Sequence, residues 1–305
     1  MMNRRGFALA GTATLALAAC GPATPLPKPV PKKLAPVGTL QWAVQGPWRI
    51  DADRDRYRHP VETLTFFGLQ PGMDVVEILP GRGWYTAILA PYLAKGGGKL
   101  HEASFDPLTA SDSEIATLQE FKDRFMTDRA EFGAIDLKTI SPKSPPLGPE
   151  NSADMVLVMR NVHTFMAERY VDKAFRDFFA VLKPGGILGV EEHRGKSTGS
   201  QDPQAGDGYV QEAYVKLLAQ DAGFEFVGSS EINANPKDTK NHPFGVWTLP
   251  PVLRTAPLGR PDDPKFDNQK YKDIGESDRM TLKFRKPGAP AVTPSRAGDT
   301  KPAKP

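Results

Sequence analysis

The sequence holds one cysteine, Cys20, in 305 residues. No internal disulfide can form, so the fold must rest on its packed core. Histidine is scarce too, at five residues, and no two stand at the close spacing of a metal-binding pair. That spacing predicts no metal site. A membrane-spanning run is missing near the start: the apolar stretch behind Arg4 and Arg5 is roughly 13 residues, too short for a ~30 Å hydrocarbon core. No internal repeat is visible. A basic body is missing as well. The formal net charge of +3 sits at the two ends, with five basic residues and no acid in 1–37, and six basic residues and one acid in 283–305. The remainder carries 28 basic against 35 acidic residues, near −7, which excludes the basic footprint of a nucleic-acid-binding domain.

What is present at the start is "MMNRRGFALAGTATLALAAC". Positive charge followed by a short apolar run reads as a secretory signal over residues 1–20. "NRRGFAL" resembles a twin-arginine export signal, which implies export after folding. "LAAC", Leu17 to Cys20, resembles the lipobox of bacterial lipoproteins. That resemblance implies cleavage before Cys20, a lipid on its sulfur, and an exported, periplasmic protein anchored to a membrane. A stray cysteine in a cleaved leader is the plainer alternative. Residues 21–37 are proline-rich, and proline blocks helix and sheet, so they read as a tether. Its basic residues suit an anionic lipid surface. Residues 288–305 share this composition and are expected to be disordered.

Residues 38–287 are long enough for one large α/β domain. A helix is expected with Val61, Leu64 and Phe67 on one face. "DVVEIL" is then a buried strand, apolar except for Glu77, and "GWYTAILAPYL" a helix. "GGGKLHEASFD" turns into a second strand, and "FGAIDLKTI" reads as a third. Met155 to Met159 form a fourth. A helix follows with Val171, Phe175, Phe178 and Phe179 on one face. "KPGGILGVEEH" is a turn and a fifth strand, and "YVQEAYVKLLAQDAGF" a helix stopped by Gly223. "EFVGSSEI" and "DRMTLKFRK" are the last two strands. No helix separates them, so at least one is expected to be antiparallel. Strands alternating with helices predict a doubly wound, mostly parallel seven-stranded sheet.

The order of these motifs resembles the class I S-adenosylmethionine-dependent methyltransferases, over nearly the whole domain. "VVEILPGRG" lies where that family has its acid-and-glycine loop, "ADMVLVMRNVH" where it has its fourth strand, and "VLKPGGILGVEEH" where it has its fifth. The "GWYT" loop and "NPKDTKNHPFGVWTLPP" are similar to a group of bacterial predicted methyltransferases. The resemblance implies a Rossmann-like fold, S-adenosylmethionine as cofactor, and a small-molecule methyl acceptor. It departs from the family at Leu79, where a glycine is usual, and at Ser104, which aligns with the usual ribose-binding acid.

Candidate cofactor-binding residues follow. Glu77 matches the acid ending the first strand. Gly81 and Gly83 let the backbone turn or approach a ligand. Trp84 and Tyr85 stand where the next helix begins, with amides facing the crevice. The structural alternative is a tight turn with no ligand. Asp106 is the first choice for the ribose hydroxyls and Glu102 the second. Asn161 can orient an acceptor or cap the next helix. His163 and His193 are the catalytic candidates, as imidazoles that titrate near neutrality at strand ends; a crevice histidine with no proton to move is the alternative. Alternation puts Glu191 and His193 on one face and Glu192 on the other. A carboxylate there would raise an imidazole pKa, or the group could hold a metal with His163, a reading the spacing does not favour. The loop 233–279 is expected to be a lid over the crevice or a wrap along a sheet edge.

Two functions fit. One is methyl transfer to a small molecule. The other is a methyltransferase fold reused as a binding or structural lipoprotein, because S-adenosylmethionine is made in the cytoplasm and an exported protein would not normally meet it.

Overall fold

The computed structural model describes residues 34–288. The proposed signal, the Cys20 lipobox, nearly all of the tether and the tail lie outside the described residues. Apolar runs form the centre of the sheet. Strand β1 (Asp74–Ile78) lies between β2 (Lys99–Ser104) and β4 (Ala153–Met159), and both pairings are parallel. With β3 (Ile135–Thr139), β5 (Leu182–His193), β6 (Glu225–Ser230) and β7 (Arg279–Arg285) the order is β3-β2-β1-β4-β5-β7-β6. Strand β7 runs antiparallel to both of its neighbours, which meets the expectation for the last pair.

Side-chain alternation gives the sheet two dry faces. Val76, Ile78, Val156, Val158, Leu188 and Val190 pack on one face. That face is covered by α7 (Val162–Ala167), α8 (Val171–Val181) and α9 (Glu212–Asp221). Val75, Leu100, Met155, Leu157 and Met159 pack on the other. There the layer begins with α1 (Leu40–Val44), α2 (Asp55–Arg58) and α3 (Pro60–Phe67), and continues with α4 (Thr86–Gly96), α5 (Asp112–Phe125) and α6 (Arg129–Phe132). The α8 stripe is as expected: Phe175 and Phe178 are buried, and Phe179 meets Phe224 edge-on.

Two elements depart from the sequence pattern. "KPGG" is no free turn: it is a bulge inside β5, where the pairing to β4 shifts between Ala153 and Met155 and Gly185 takes φ 83°. Helix α5 was not expected, although Ser111 and Glu114 form a capping box at its start. Its apolar residues Leu118, Phe121 and Phe125 are too few against the charged ones to show as a run. The segment between β6 and β7 contains a short 3-10 turn, Gly245–Thr248, and α10 (Gln269–Ile274). It is an ordered wall of the crevice described below.

Candidate functional site

The β1–α4 connection turns three times through the left-handed region, at Leu79 (φ 45°), Gly81 (φ 58°) and Gly83 (φ 75°). Leu79 therefore keeps the conformation that a glycine would adopt freely, at a cost of about 1–2 kcal/mol. The two glycines have different reasons. A Cβ at Gly81 would meet nothing within 4 Å, so this backbone is open to a ligand. A Cβ at Gly83 would lie 2.1 Å from the Phe125 ring. Gly83 is thus needed by the packing of α5, and the space beside it is not ligand space as the sequence suggested. Helix α4 starts at Thr86, after Trp84 and Tyr85.

Glu77 is buried and accepts a hydrogen bond from Thr86 Oγ1 at 2.8 Å. Its register partner across β1–β2 is Glu102, also buried, whose two oxygens meet no donor among the described residues. Burial pushes both carboxyls up, and the Glu77 charge pushes Glu102 further. The pair is therefore disposed to share a proton. Glu102, the second choice for a ribose ligand, is committed to this pair. Asp106 stands apart, taking hydrogen bonds from Leu108 N at 3.1 Å and Ser141 Oγ at 3.3 Å.

At the end of β4, Arg160 is left-handed (φ 63°) and its amide donates to the Glu191 carbonyl at 2.6 Å. Asn161 does not cap α7 with its side chain, and its amide nitrogen is engaged while the residue lines the loop cavity. Its amide nitrogen lies 2.9 Å from the Ile78 carbonyl, 3.3 Å from that of Leu79 and 3.2 Å from that of Met159. With two protons to share, it ties the β1 loop to the end of β4.

His163 and His193 come together, with ring centroids 5.4 Å apart. His163 Nδ1 lies 3.0 Å from Glu192 Oε1, and an ionised carboxylate can only accept. The proton of a neutral His163 is therefore on Nδ1, and Nε2 keeps its lone pair. His193 Nδ1 faces Ser277 Oγ at 2.5 Å. Burial and the charges of His163, Arg160, Arg279 and Arg58 push the His193 pKa well below the usual value. The expectation that a carboxylate would raise it fails for His193: Glu192 serves the His163 ring, and Glu191 turns to Tyr85, whose hydroxyl donates to it at 2.9 Å. One ligand atom each from His163, Glu192 and His193 lie within 4.8 Å of one another, a grouping the sequence spacing did not predict. Glu192 is already taken by the His163 ring and by the amides of His163 and His193.

Below these histidines lies a buried arginine network. Arg279 Nη1 lies 3.0 Å from Glu276 Oε2 and 3.1 Å from Glu191 Oε1, the latter not aligned as a hydrogen bond. Its Nη2 donates to the Tyr57 carbonyl. Arg54 and Arg58 bond the two oxygens of Glu276, at 2.6 and 3.0 Å. Against burial, which raises it, Arg58, Arg279, Arg160 and Arg54 hold the Glu276 carboxyl down at about 2. Trp84 stacks under Arg49 and Arg58, 4.9 and 4.6 Å from ring centroid to guanidinium carbon. Sequence reasoning missed this network; its local signal was the run "DADRDRYRHP".

Three cavities follow the C-terminal strand ends. One of about 380 Å³ holds Asp106, Phe105 and Tyr170. A second of about 660 Å³ holds Glu77, Gly81, Trp84, Tyr85, Arg160 and Asn161. A third of about 260 Å³ holds His163, His193 and Trp247. Leu79 is a wall common to the first two, and Arg54, Arg58 and Arg160 to the last two. The 233–279 segment supplies Pro251 and Val252 to the last two cavities and Trp247 and Glu276 to the third. Of the sequence candidates, Glu77, Gly81, Trp84, Tyr85, Asp106, Asn161, His163 and His193 therefore line these adjoining cavities, while Gly83, Glu102, Glu191 and Glu192 do not and Cys20 lies outside the described residues.

No protein-family model and no curated protein matches the sequence. Solved structures do match in shape. The [4+2]-cyclase SpnF aligns with 80% of this chain and 86% of its own, at 17% identity and TM-score 0.50. A Galdieria sulphuraria protein proposed as a sarcosine dimethylglycine methyltransferase aligns with 77% and 86%, at 16% identity and TM-score 0.50. A SAM-dependent methyltransferase from Aquifex aeolicus aligns with 60% and 88%, at 19% identity and TM-score 0.47. At these identities the likeness is one of fold, and the chain has the Rossmann-like fold of the class I methyltransferases, as its motif order led one to expect.

Proposed function

We propose that the crevice binds S-adenosylmethionine and that the protein transfers its methyl group to a small molecule. The observation that carries this reading is the β1–α4 loop. It keeps three left-handed turns and an open Gly81 at the mouth of a 660 Å³ cavity at the strand ends. The methionine part of the cofactor would lie over Gly81, and Asp106 would receive the ribose hydroxyls beyond Leu79. When bound, the cofactor supplies an activated methyl on a sulfonium. The chain's part is alignment and removal of the acceptor's proton. His163 is the base: Glu192 holds its Nδ1–H, and Nε2 accepts the proton from the acceptor's O–H or N–H. His193, held neutral, orients against Ser277 beside it. Calorimetry of the purified protein with S-adenosylmethionine tests this. Binding that weakens by roughly ten- to a hundredfold in Asp106→Ala is expected; no heat at millimolar cofactor would overturn it.

One observation favours the second reading, a fold reused for binding alone. Leu79, a buried side chain, stands between the ribose cavity and the loop cavity. If it only partitions a working site, Leu79→Gly should bind the cofactor at least as well as the parent. If the parent binds nothing and Leu79→Gly does, the native fold has given up the cofactor and the second reading stands. Export and anchoring through Cys20 belong to the same proposal, supported by "LAAC" alone. Cys20→Ala should move the protein from the detergent phase to the aqueous phase.

A further inference from the structure

The arginine network is not balanced. Arg54, Arg58, Arg160 and Arg279 bring four guanidinium groups together, as the mutual influence of their charges records. Glu191 and Glu276 share this network with them, Arg160 also faces Glu77, and Asp51 lies on the exposed rim. Donors are left over: Arg54 Nη2, Arg58 Nη1 and Arg160 Nη1 are buried without a hydrogen-bond partner among the described residues. Arg58 is only 2% exposed and stands in the wall of both cavities. A guanidinium cannot escape by losing its proton. Burial and the neighbouring Arg160 pull the Arg58 pKa well down, which is the same mismatch seen from the proton's side.

Arg49, Arg194 and Arg279 also have a buried Nε without a partner among the described residues, but Arg54, Arg58 and Arg160 are the arginines that line both the loop cavity and the histidine cavity. Arg160 reaches this place from a left-handed backbone that only glycine adopts without strain. Opposite them, the histidine cavity has an apolar wall of Val246, Trp247, Leu249 and Pro250. A metal ion at His163, Glu192 and His193 would add positive charge beside Arg54, Arg58 and Arg160 in the same cavity.

We propose that the acceptor is a small oxyanion, a carboxylate or phosphate on an apolar body, held by Arg58 and Arg160 with Arg54 beside them. The apolar body lies against Trp247, and the group to be methylated faces His163 Nε2. The word acceptor rests on the function proposed above; the anion site does not.

The test is a thermal-shift and calorimetric titration of the full chain in chloride buffer, with inorganic phosphate, 4-hydroxybenzoate and phenol as probes. Phosphate and 4-hydroxybenzoate should raise Tm, and 4-hydroxybenzoate should bind roughly ten- to a hundredfold tighter than phenol. Arg160→Gly is the decisive variant. It removes a guanidinium and relieves the left-handed backbone, so without anion its Tm should equal or exceed that of the parent, and the response to both anions should be lost. Arg58→Met gives a second loss that does not depend on backbone strain. A parent that responds to neither anion at millimolar concentration overturns the proposal. So does Arg160→Gly that keeps the full response. If S-adenosylhomocysteine displaces the anion competitively, the arginines hold the cofactor's own carboxylate, and the anionic acceptor is refuted. If the anions bind while S-adenosylmethionine does not, the anion site stands and the methyl-transfer reading falls.

Discussion

Two groups of buried charge lie on the same face of the sheet, and they meet burial in opposite ways. The Glu77–Glu102 pair has too few donors around it, and the arginine network leaves donors of Arg54, Arg58, Arg160 and Arg279 unpartnered against a single unpartnered acceptor, Glu191 Oε1. A carboxylate in that position takes up a proton and becomes its own donor. An arginine has no such exit, so its excess must be met by another group. The acid pair is therefore complete within the chain, and the arginine network is complete only with a ligand. Buried polar groups distinguish a scaffold from a site by whether the chain alone can satisfy them.

The comparison is broken most severely at Arg279, which joins Glu191 and Glu276 at the centre of the network and is 1% exposed. Arg279→Met should destabilise the protein by about 3–5 kcal/mol in urea unfolding, because it removes the guanidinium that lies between two buried carboxylates and leaves Glu191 with only the Tyr85 hydroxyl. Full stability in this variant would show that the network carries no structural role.

Acid comes next. The folded Glu276 carboxyl sits at about 2, below its ordinary 4.5. Its stabilisation is therefore present above pH 4.5 and is lost as pH falls toward 2, a change of ~3 kcal/mol. The acid pair has the opposite sign. Its raised carboxyls stabilise below their ordinary range and cost stability as pH rises. Glu276→Gln should flatten the acid limb of a stability–pH curve, and Glu102→Gln the alkaline limb. Swapped effects would mean the two regions have been assigned the wrong way round.

The smallest effect separates the two loop glycines. Gly83→Ala meets Phe125 and a left-handed backbone, and should cost about 1–3 kcal/mol with or without ligand. Gly81→Ala meets open space, should cost only about 1 kcal/mol, and should weaken cofactor binding. Melting curves beside binding titrations read both quantities.

Much of the sheet was legible because its cues are local. "DVVEIL" and "ADMVLVM" are apolar runs of strand length, and β1 and β4 are found there. The pairing of Glu77 with Glu102 was not legible, since it depends on a register that brings residues 25 positions apart side by side. Nor was the arginine network: Arg58 and Glu276 are 218 positions apart, and nothing near either residue announces the other. Asn161 shows the same limit. Its place after β4 was evident, but its work, fastening the carbonyls of Ile78 and Leu79, belongs to a loop 83 and 82 residues earlier.

The position of β7 has a consequence for the order of events during synthesis. This strand pairs between β5 and β6, so β6 has no neighbour in the sheet until Arg279–Arg285 has left the ribosome. Any shorter nascent chain exposes the bare edge of β5 and an unsupported β6, both open to pairing with another chain. The same strand carries Arg279. The sheet and the charged centre of the crevice are thus finished in one late step, and a prematurely terminated product should have neither.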